Sequence, residues 1–332
     1  MDSLDKFNLV GSAPSFLKAL ALVRRFAACD ATVLIQGETG TGKELAARAI
    51  HYLGARRDYP FIPVNCGAIP DNLVENELFG HARGAFTDAR EPRAGVIADA
   101  EGGTLFLDEV EALSGRGQVA LLRFLQDQTY RPLGAGRTVS ANVRVIAASN
   151  DNLQQMQSRG QFRRDLYFRL NIMAMEMPPL RQRAGDVEQL AGHFVRQFNF
   201  QYDSPARRLS RETLRLLADY HWPGNVRELE NLIHREFLLA QDAVIRISPE
   251  HLAAPPAQEP AASVLFEVAS DEDFTRAKAR IVAEFEKSFL ARALAESGGN
   301  VSLAARRCGK ERRTFGKLLK KYGIDRAPFQ QG

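Results

Sequence analysis

Residues 33–44 read Val33-Leu34-Ile35-Gln36-Gly37-Glu38-Thr39-Gly40-Thr41-Gly42-Lys43-Glu44, an apolar run that breaks into three spaced glycines and a lysine. The run is short, β-branched and apolar, as a buried strand requires. Gly37 to Lys43 fits G-x-x-x-x-G-K, and helical spacing opens directly after it at Leu45 and continues to Leu53. A strand, a glycine loop and a helix in that order form a phosphate-binding loop, because backbone N–H groups of the loop and of the helix N-terminus converge on one point. Lys43 reaches the β- and γ-phosphates as a point charge. Glu44 stands where a Ser or Thr commonly holds Mg2+, so the metal must rely on another carboxylate and on water.

That carboxylate comes from Thr104-Leu105-Phe106-Leu107-Asp108-Glu109, an apolar strand ending in two acids. Parallel sheets bind ligands at the carboxyl ends of their strands. Asp108 is therefore the candidate Mg2+ contact, direct or through water, and Glu109 the candidate for polarising the attacking water. Thr32–Gln36, Phe61–Asn65, Thr104–Asp108, Val143–Ala148 and Ile172–Met177 read as buried strands, with helical spacing over Leu45–Leu53 and Gln118–Gln128. Such alternation predicts an α/β fold with a parallel sheet covered on both faces. Pro178-Pro179 ends the pattern, and helices dominate from Asp186 to about Ala243. A Pro/Ala-rich linker follows from Ala253, and Phe274 to Asp325 reads as a small all-helical unit. The expected boundaries are 1–177, 178–252, 253–272 and 273–326.

The bulk numbers allow this organisation. A chain of 332 residues with 45% hydrophobic and 25% charged residues is an ordinary globular protein of two or three domains. Its net charge of +4 is modest, so distribution matters more than total. Cys29, Cys66 and Cys308 are few and far apart, which argues against a disulfide framework or a zinc site. No stretch approaches the roughly 18 apolar residues of a membrane span. The amino terminus lacks the character of a signal peptide. A soluble cytoplasmic location is the expectation.

Three further segments carry chemistry. Phe162-Arg163-Arg164-Asp165-Leu166-Tyr167-Phe168-Arg169 offers arginines that a neighbouring subunit's phosphates could use, although such a cluster is more often a solvated face. Gly84-Ala85-Phe86-Thr87-Asp88-Ala89 is a small-residue loop carrying one large apolar side chain. Taken alone, it reads more readily as a turn whose Phe86 folds into the core. Near the carboxyl end Asn300 is placed to cap a helix from Val301 to Cys308, and Gly309 turns the chain. Ile281, Phe285 and Phe289 make one helical stripe, and Phe315, Leu318, Leu319 and Tyr322 another. Arg306, Arg307, Lys310, Arg312, Arg313, Lys317, Lys320 and Lys321 crowd this end, which suits a helix-turn-helix meeting phosphates. Arg312, Arg313, Thr314, Lys317 and Lys320 are the DNA-facing candidates.

Together these residues resemble a family. From about Leu9 to Leu252 the chain looks like the AAA+ domain of bacterial enhancer-binding proteins, the ATP-driven activators of sigma-54 RNA polymerase. Gly37 to Glu44 resembles their Walker A sequence, in which Glu after Lys is normal. Glu101-Gly102-Gly103-Thr104-Leu105-Phe106-Leu107-Asp108-Glu109 resembles their Walker B, and the resemblance carries Gly102 and Gly103 over to the nucleotide site. Asn65 matches the asparagine that pairs with the Walker B glutamate as a nucleotide-sensing switch, and Asn150 sits at the sensor I position. Arg163 and Arg169 fall on the arginine-finger positions. Trp222-Pro223-Gly224-Asn225-Val226-Arg227-Glu228-Leu229 matches the sensor II helix, with Arg227 reaching nucleotide from a helical lid.

The resemblance implies ATP and Mg2+ as ligands, a closed ring, usually a hexamer, and sigma-54 RNA polymerase and upstream enhancer DNA as partners. It makes residues 84–89 the loop that grips sigma-54. The family's hexapeptide is Gly-Ala-Phe-Thr-Gly-Ala, and Asp88 departs from it, so that coupling retained, altered or lost are all open. The end of the chain resembles the Fis-type helix-turn-helix domain, from which Lys310 and Glu311 depart, and Gly316 costs that helix roughly 1 kcal/mol. Because the chain begins almost at the AAA+ domain, control is expected from expression level, a partner protein or a separate sensor. The alternatives are an ATPase that represses or serves another polymerase form, and a DNA-binding module whose ATP site only governs assembly.

Overall fold

The structure, a computed structural model, describes residues 5–86, 89, 91–203, 206–252, 280, 283, 286–287, 289–290, 292–295, 297, 299–310 and 312–324. These fall into two compact units, Met1–Ala254 and Pro255–Gly332.

The first unit is built on five parallel strands, β1 (Val33–Gln36), β2 (Phe61–Asn65), β3 (Thr104–Asp108), β4 (Arg144–Ser149) and β5 (Met173–Glu176), in the spatial order β2-β3-β4-β1-β5. Alternation sorts their side chains. Leu34, Leu105, Leu107, Val145 and Ala147 enter one apolar cluster, while Val33, Ile35, Phe106, Ile146 and Ala148 enter the other. Helices α1 (Pro14–Ala27) and α2 (Lys43–Tyr52) cover the second face through Phe16, Val23, Ala46 and Ile50. Helices α3 (Val74–Phe79), α4 (Gly115–Asp127) and α5 (Arg164–Leu170) cover the first through Leu78, Leu121, Phe124 and Leu166.

All five expected strands are present, but only three are buried along their length. β2 and β5 are the sheet's edges, and Pro63 and Ala174 are exposed on them. Each has a neighbour on one side only, so half of its surface stays open. Pro63 sits where a missing N–H is tolerated, on an edge.

Beyond Pro179 the chain forms a helical layer of α6 (Asp186–Gln201), α7 (Arg211–Asp219) and α8 (Asn225–Leu239) around Phe194, Phe198, Trp222, Leu229, Ile233 and Phe237. The amino-terminal segment ties this lid to the core. Asp186, fully buried, accepts the backbone N–H groups of Ser12 and Ala13 at 2.7 and 2.9 Å through Oδ1, and Arg183 Nε at 2.8 Å through Oδ2. The Arg183 guanidinium also donates to the Val10 carbonyl at 2.6 Å and lies 3.7 Å from the centre of the Phe16 ring.

In the second unit, α9 (Val301–Arg307) starts at Asn300, whose side chain accepts from the N–H groups of Ser302 and Leu303. It packs on α10 (Arg312–Lys321) through Ala304, Ala305, Phe315 and Leu319. Of the preceding stripe, Phe289 is exposed, and Leu290, Ala293 and Leu294 take the core side instead. Ile281, Phe285 and the linker residues 253–272 lie outside the described residues.

Candidate functional site

Parallel strands deliver their carboxyl ends to one edge of the sheet, and the chemically active residues collect there. Asn65 and Asp108 are register partners at the ends of β2 and β3, Asn150 follows β4, and the glycine loop follows β1. Lys43 opens α2 and is buried. Its Nζ donates to the carbonyls of Gly37 and Glu38 at 2.7 and 3.1 Å and to Asn150 Oδ1 at 2.6 Å. Burial pushes the Lys43 ammonium down, against the opposing pull of Asp108, Glu111 and Glu109. Burial also pushes the Asp108 carboxyl up, against the Glu109 N–H that it accepts and the Lys43 charge. Glu109 is held at φ 54°, a left-handed backbone that only its surroundings can enforce on a glutamate.

A cleft over this edge brings Gly40, Lys43, Glu44, Asp108, Glu109 and Asn150 from the core together with Val226, Arg227 and Glu230 from the lid. Arg227 and Glu230 are three residues apart on α8 and so share a face. The lid is fixed here by the glycine loop itself. Val226 N–H donates to the Gly40 carbonyl at 3.0 Å. Gly40 has φ 79°, and a Cβ there would lie 2.3 Å from the Gly224 carbonyl, so only glycine admits the lid this close. Asn225, fully buried, donates Nδ2 to the Thr39 carbonyl at 3.0 Å and to Glu38 Oε2 at 3.2 Å, while Oδ1 accepts Leu180 N–H at 2.8 Å. Arg181 closes on both Glu38 oxygens at 2.5 and 2.7 Å and holds that carboxyl below the usual carboxylate range.

Other predicted residues fall elsewhere. Asn65 and Glu109 approach each other around Gly67: a Cβ on that glycine would lie 2.6 Å from Glu109 Oε2 and 3.3 Å from Asn65 Oδ1. They do not hydrogen-bond directly; Asn65 Oδ1 accepts Ala68 N–H at 3.1 Å. Gly102 and Gly103 require correction as nucleotide contacts. They precede β3, at the end opposite Asp108, with Gly103 about 16 Å from it at the rise of an extended strand. A Cβ on Gly103 would lie 2.1 Å from the Pro60 carbonyl, so its glycine serves close backbone packing. Both carbonyls accept the Arg56 guanidinium at 3.1 Å.

Neither Arg163 nor Arg169 lines the cleft of its own chain. Arg163 is paired with Asp165 at 2.7 Å, and Arg169 donates to the carbonyls of Leu125 and Gln126 at the end of α4. Gln118, buried on α4, accepts the Arg163 N–H at 2.9 Å and so links the start of α5 to α4.

Sequence reasoning missed Gln118, Asn225, Arg181, Glu230 and Glu111. Glu111 Oε1 accepts Asn150 N–H at 2.9 Å, while its Oε2 is buried without a partner. Behind the acids, burial pushes the Cys66 thiol up to about 12, which keeps it protonated and inert.

The 84–89 segment closes on itself, with Gly84 N–H donating to the Ala89 carbonyl at 2.8 Å and Ala89 N–H to the Phe86 carbonyl at 3.0 Å. Ala89 is buried. Phe86 is 45% exposed and rests against His81, ring centres 4.9 Å apart, rather than entering the core. Thr87 and Asp88 lie outside the described residues. In the second unit Arg312, Arg313, Lys317 and Lys320 line one open cleft with Gly316, and Thr314 is exposed beside them.

The fold and the site define a P-loop NTPase of the AAA+ class, with an ATP-binding core, a helical lid and a separate helix-turn-helix unit. Residues 9–176 match the Sigma-54 interaction domain, residues 181–263 the AAA+ ATPase lid domain, and residues 281–322 the Bacterial regulatory protein, Fis family. The nitrogen fixation protein AnfA of Azotobacter vinelandii is 39% identical over 326 residues, 98% of this chain and 59% of AnfA. The transcriptional regulatory protein ZraR of Salmonella typhimurium is 41% identical over 315 residues, 94% of this chain and 68% of ZraR. The crystal structure of NtrX from Brucella abortus in complex with ATP is similar with a TM-score of 0.69 at 30% identity, covering 95% of this chain and 69% of NtrX. The chain belongs to the sigma-54-dependent AAA+ transcriptional activators, and spans about three-fifths to two-thirds of the length of these relatives. Among the described residues no helix is long and apolar enough to cross a membrane.

Proposed function

We propose that this chain hydrolyses ATP in a closed ring and spends the turnover on remodelling a sigma-54 RNA polymerase closed promoter complex, while its carboxyl-terminal unit holds upstream DNA. The observation that carries the reading is the convergence of Lys43, Asp108, Glu109 and Asn150 with Arg227 of the lid in one cleft. In this reading residues 1–177 are the core, 178–252 the lid, 253–272 a linker and 273–326 the DNA-binding domain.

The residues fit the ligands. Glycine-loop N–H groups and the α2 N-terminus receive phosphate oxygens, and Lys43 neutralises the β/γ charge. Among the described residues no three or more potential ligands could hold a metal by themselves. Asp108, a carboxylate at the strand end facing the cleft, is the kind of oxygen donor that Mg2+ takes alongside phosphate and water. Asp108 would hold Mg2+, directly or through water, and the ion would offset phosphate charge. Glu109 orients the attacking water and accepts its proton, and Asn150 acts as sensor I, its Oδ1 accepting from Lys43 Nζ. Arg227 reaches the phosphates from the lid.

Arg163 and Arg169 would complete the site of an adjacent copy. Their position outside their own cleft supports a head-to-tail contact, and such contacts close into rings. Phe86, exposed on a turn closed by its own backbone, suits a grip on sigma-54. Arg312, Arg313, Thr314, Lys317 and Lys320 would meet DNA. Transcription from a sigma-54 promoter with the wild type and with Glu109→Gln tests the reading. Open complexes should need ATP and vanish in the variant; hydrolysis at normal rates without open complexes would sink it.

A further inference from the structure

Asn225 is the first residue of the lid helix α8, buried and at φ 53°, a backbone that asparagine tolerates better than most side chains. Besides a long 3.5 Å bond from Nδ2 to the nearby Pro223 carbonyl, its amide bonds with two distant parts of the chain. Nδ2 donates to the Thr39 carbonyl and to Glu38 of the glycine loop, and Oδ1 accepts the N–H of Leu180 at the start of the lid. The adjacent Val226 N–H takes the Gly40 carbonyl.

In a trans peptide the C=O and the following N–H point in opposite directions. The Thr39 carbonyl belongs to the same peptide unit as the Gly40 N–H, and the Gly40 carbonyl to the same unit as the Thr41 N–H. The Thr41 N–H is committed only to a long 3.4 Å bond with the Glu38 carbonyl. These two peptides therefore present carbonyls to the lid and N–H groups to the phosphate side. A phosphate drawing on the N–H groups polarises the peptides and strengthens the bonds on their carbonyl side. Coupling of this kind is reciprocal, so a lid seated on the carbonyls raises phosphate affinity in turn.

From this arrangement, and resting on the nucleotide reading above, we infer that Asn225 is a positioning residue that couples phosphate binding in the glycine loop to the seating of the helical lid. The donating half of the amide is not replaceable by charge, although a carboxylate oxygen could still accept the Leu180 N–H. An aspartate of the same shape would set a carboxylate against both the Thr39 carbonyl and the Glu38 carboxylate. A glycine would keep the positive φ and remove every bond of the amide.

The test uses the full chain and its single tryptophan, Trp222, which lies three residues before Asn225 and is buried in the lid core. Wild type, Asn225→Asp and Asn225→Gly are titrated with ATP, ADP and adenosine while Trp222 emission is followed. In the wild type, ATP and ADP should shift the emission. Both variants should bind ATP and ADP about tenfold or more weakly, with the Trp222 response lost, keep the unliganded emission maximum, and bind adenosine as the wild type does. A variant that binds ATP normally with a normal Trp222 response overturns the inference, as does an equal loss for adenosine, which marks general damage to the site. A wild-type chain that binds no ATP sinks the nucleotide reading and this inference with it.

Discussion

Replacing Asp186 by asparagine should detach the amino-terminal segment from the lid, and the structure sets the cost. The carboxylate accepts three N–H groups, from Ser12, Ala13 and Arg183, with both partners of the ion pair essentially inaccessible to water. An amide offers one acceptor oxygen, and its NH2 must face a donor whichever way it is turned. At least one buried N–H is orphaned, and the Arg183 guanidinium loses its counter-charge. Breaking a buried pair on one side costs about 3–5 kcal/mol, a large share of a typical stability of about 5–15 kcal/mol. Urea denaturation followed by Trp222 fluorescence reads the layer concerned, since Trp222 and Val187 share one apolar cluster. At an m near 2 kcal/mol/M, the midpoint should fall by about 1.5 M or more. The double variant Arg183→Met/Asp186→Asn removes the stranded charge while a flexible thioether still packs on Phe16, and should recover most of the loss. A single variant within about 1 kcal/mol of the wild type, or a double variant worse than the single, would refute the reasoning.

Lys43→Ala should lower ATP turnover at least about 100-fold while leaving the urea midpoint close to the wild type, because the lysine's partners are carbonyls and Asn150 at the open cleft; steady-state phosphate release checks it. His51 is buried with Nε2 unpartnered, and burial holds its pKa below 6.5. Its contribution to stability is therefore present above about pH 6.5 and lost as pH falls through the folded value. His51→Gln should flatten the acid limb of a stability-against-pH curve, incompletely, because burial depresses His193 in the same direction. Arg312→Ala and Lys317→Ala should each reduce the salt dependence of DNA binding by about one counterion, read as the slope of log affinity against log salt.

Much of this was legible in the residues. The strands could be read because β3 and β4 have continuous apolar centres, Leu105–Leu107 and Val145–Ala148, and because a glycine loop followed by helical spacing has one physical use. Asp108 and Glu109 could be placed at a strand end by counting. Gly102 and Gly103 came to the nucleotide site through the resemblance alone, and no local feature of the sequence showed that the whole length of β3 separates them from Asp108. Asn225, Arg181 and Glu38 were illegible as partners, since their bonds span more than 140 residues and arise only once the lid folds back. The one local signal was an asparagine directly after Trp222-Pro223-Gly224, where a left-handed backbone is expected to recur. Glu111 gave no signal, being one acid among several. The exposure of Phe86 could not be read from its loop, because the ring rests on His81, which lies outside that loop.

Pro63 bears on crowding rather than on chemistry. The outer strand of a sheet is a template on which a foreign strand can assemble, and copies gathered on one DNA site would meet at high local concentration. β2 is such a strand, five residues long, with apolar Phe61, Ile62 and Val64 in it. A proline at its middle brings no N–H, so no incoming chain finds an unbroken row of donors there. Replacing it with valine would improve strand propensity and remove that guard, trading a slightly firmer edge for aggregation on concentration.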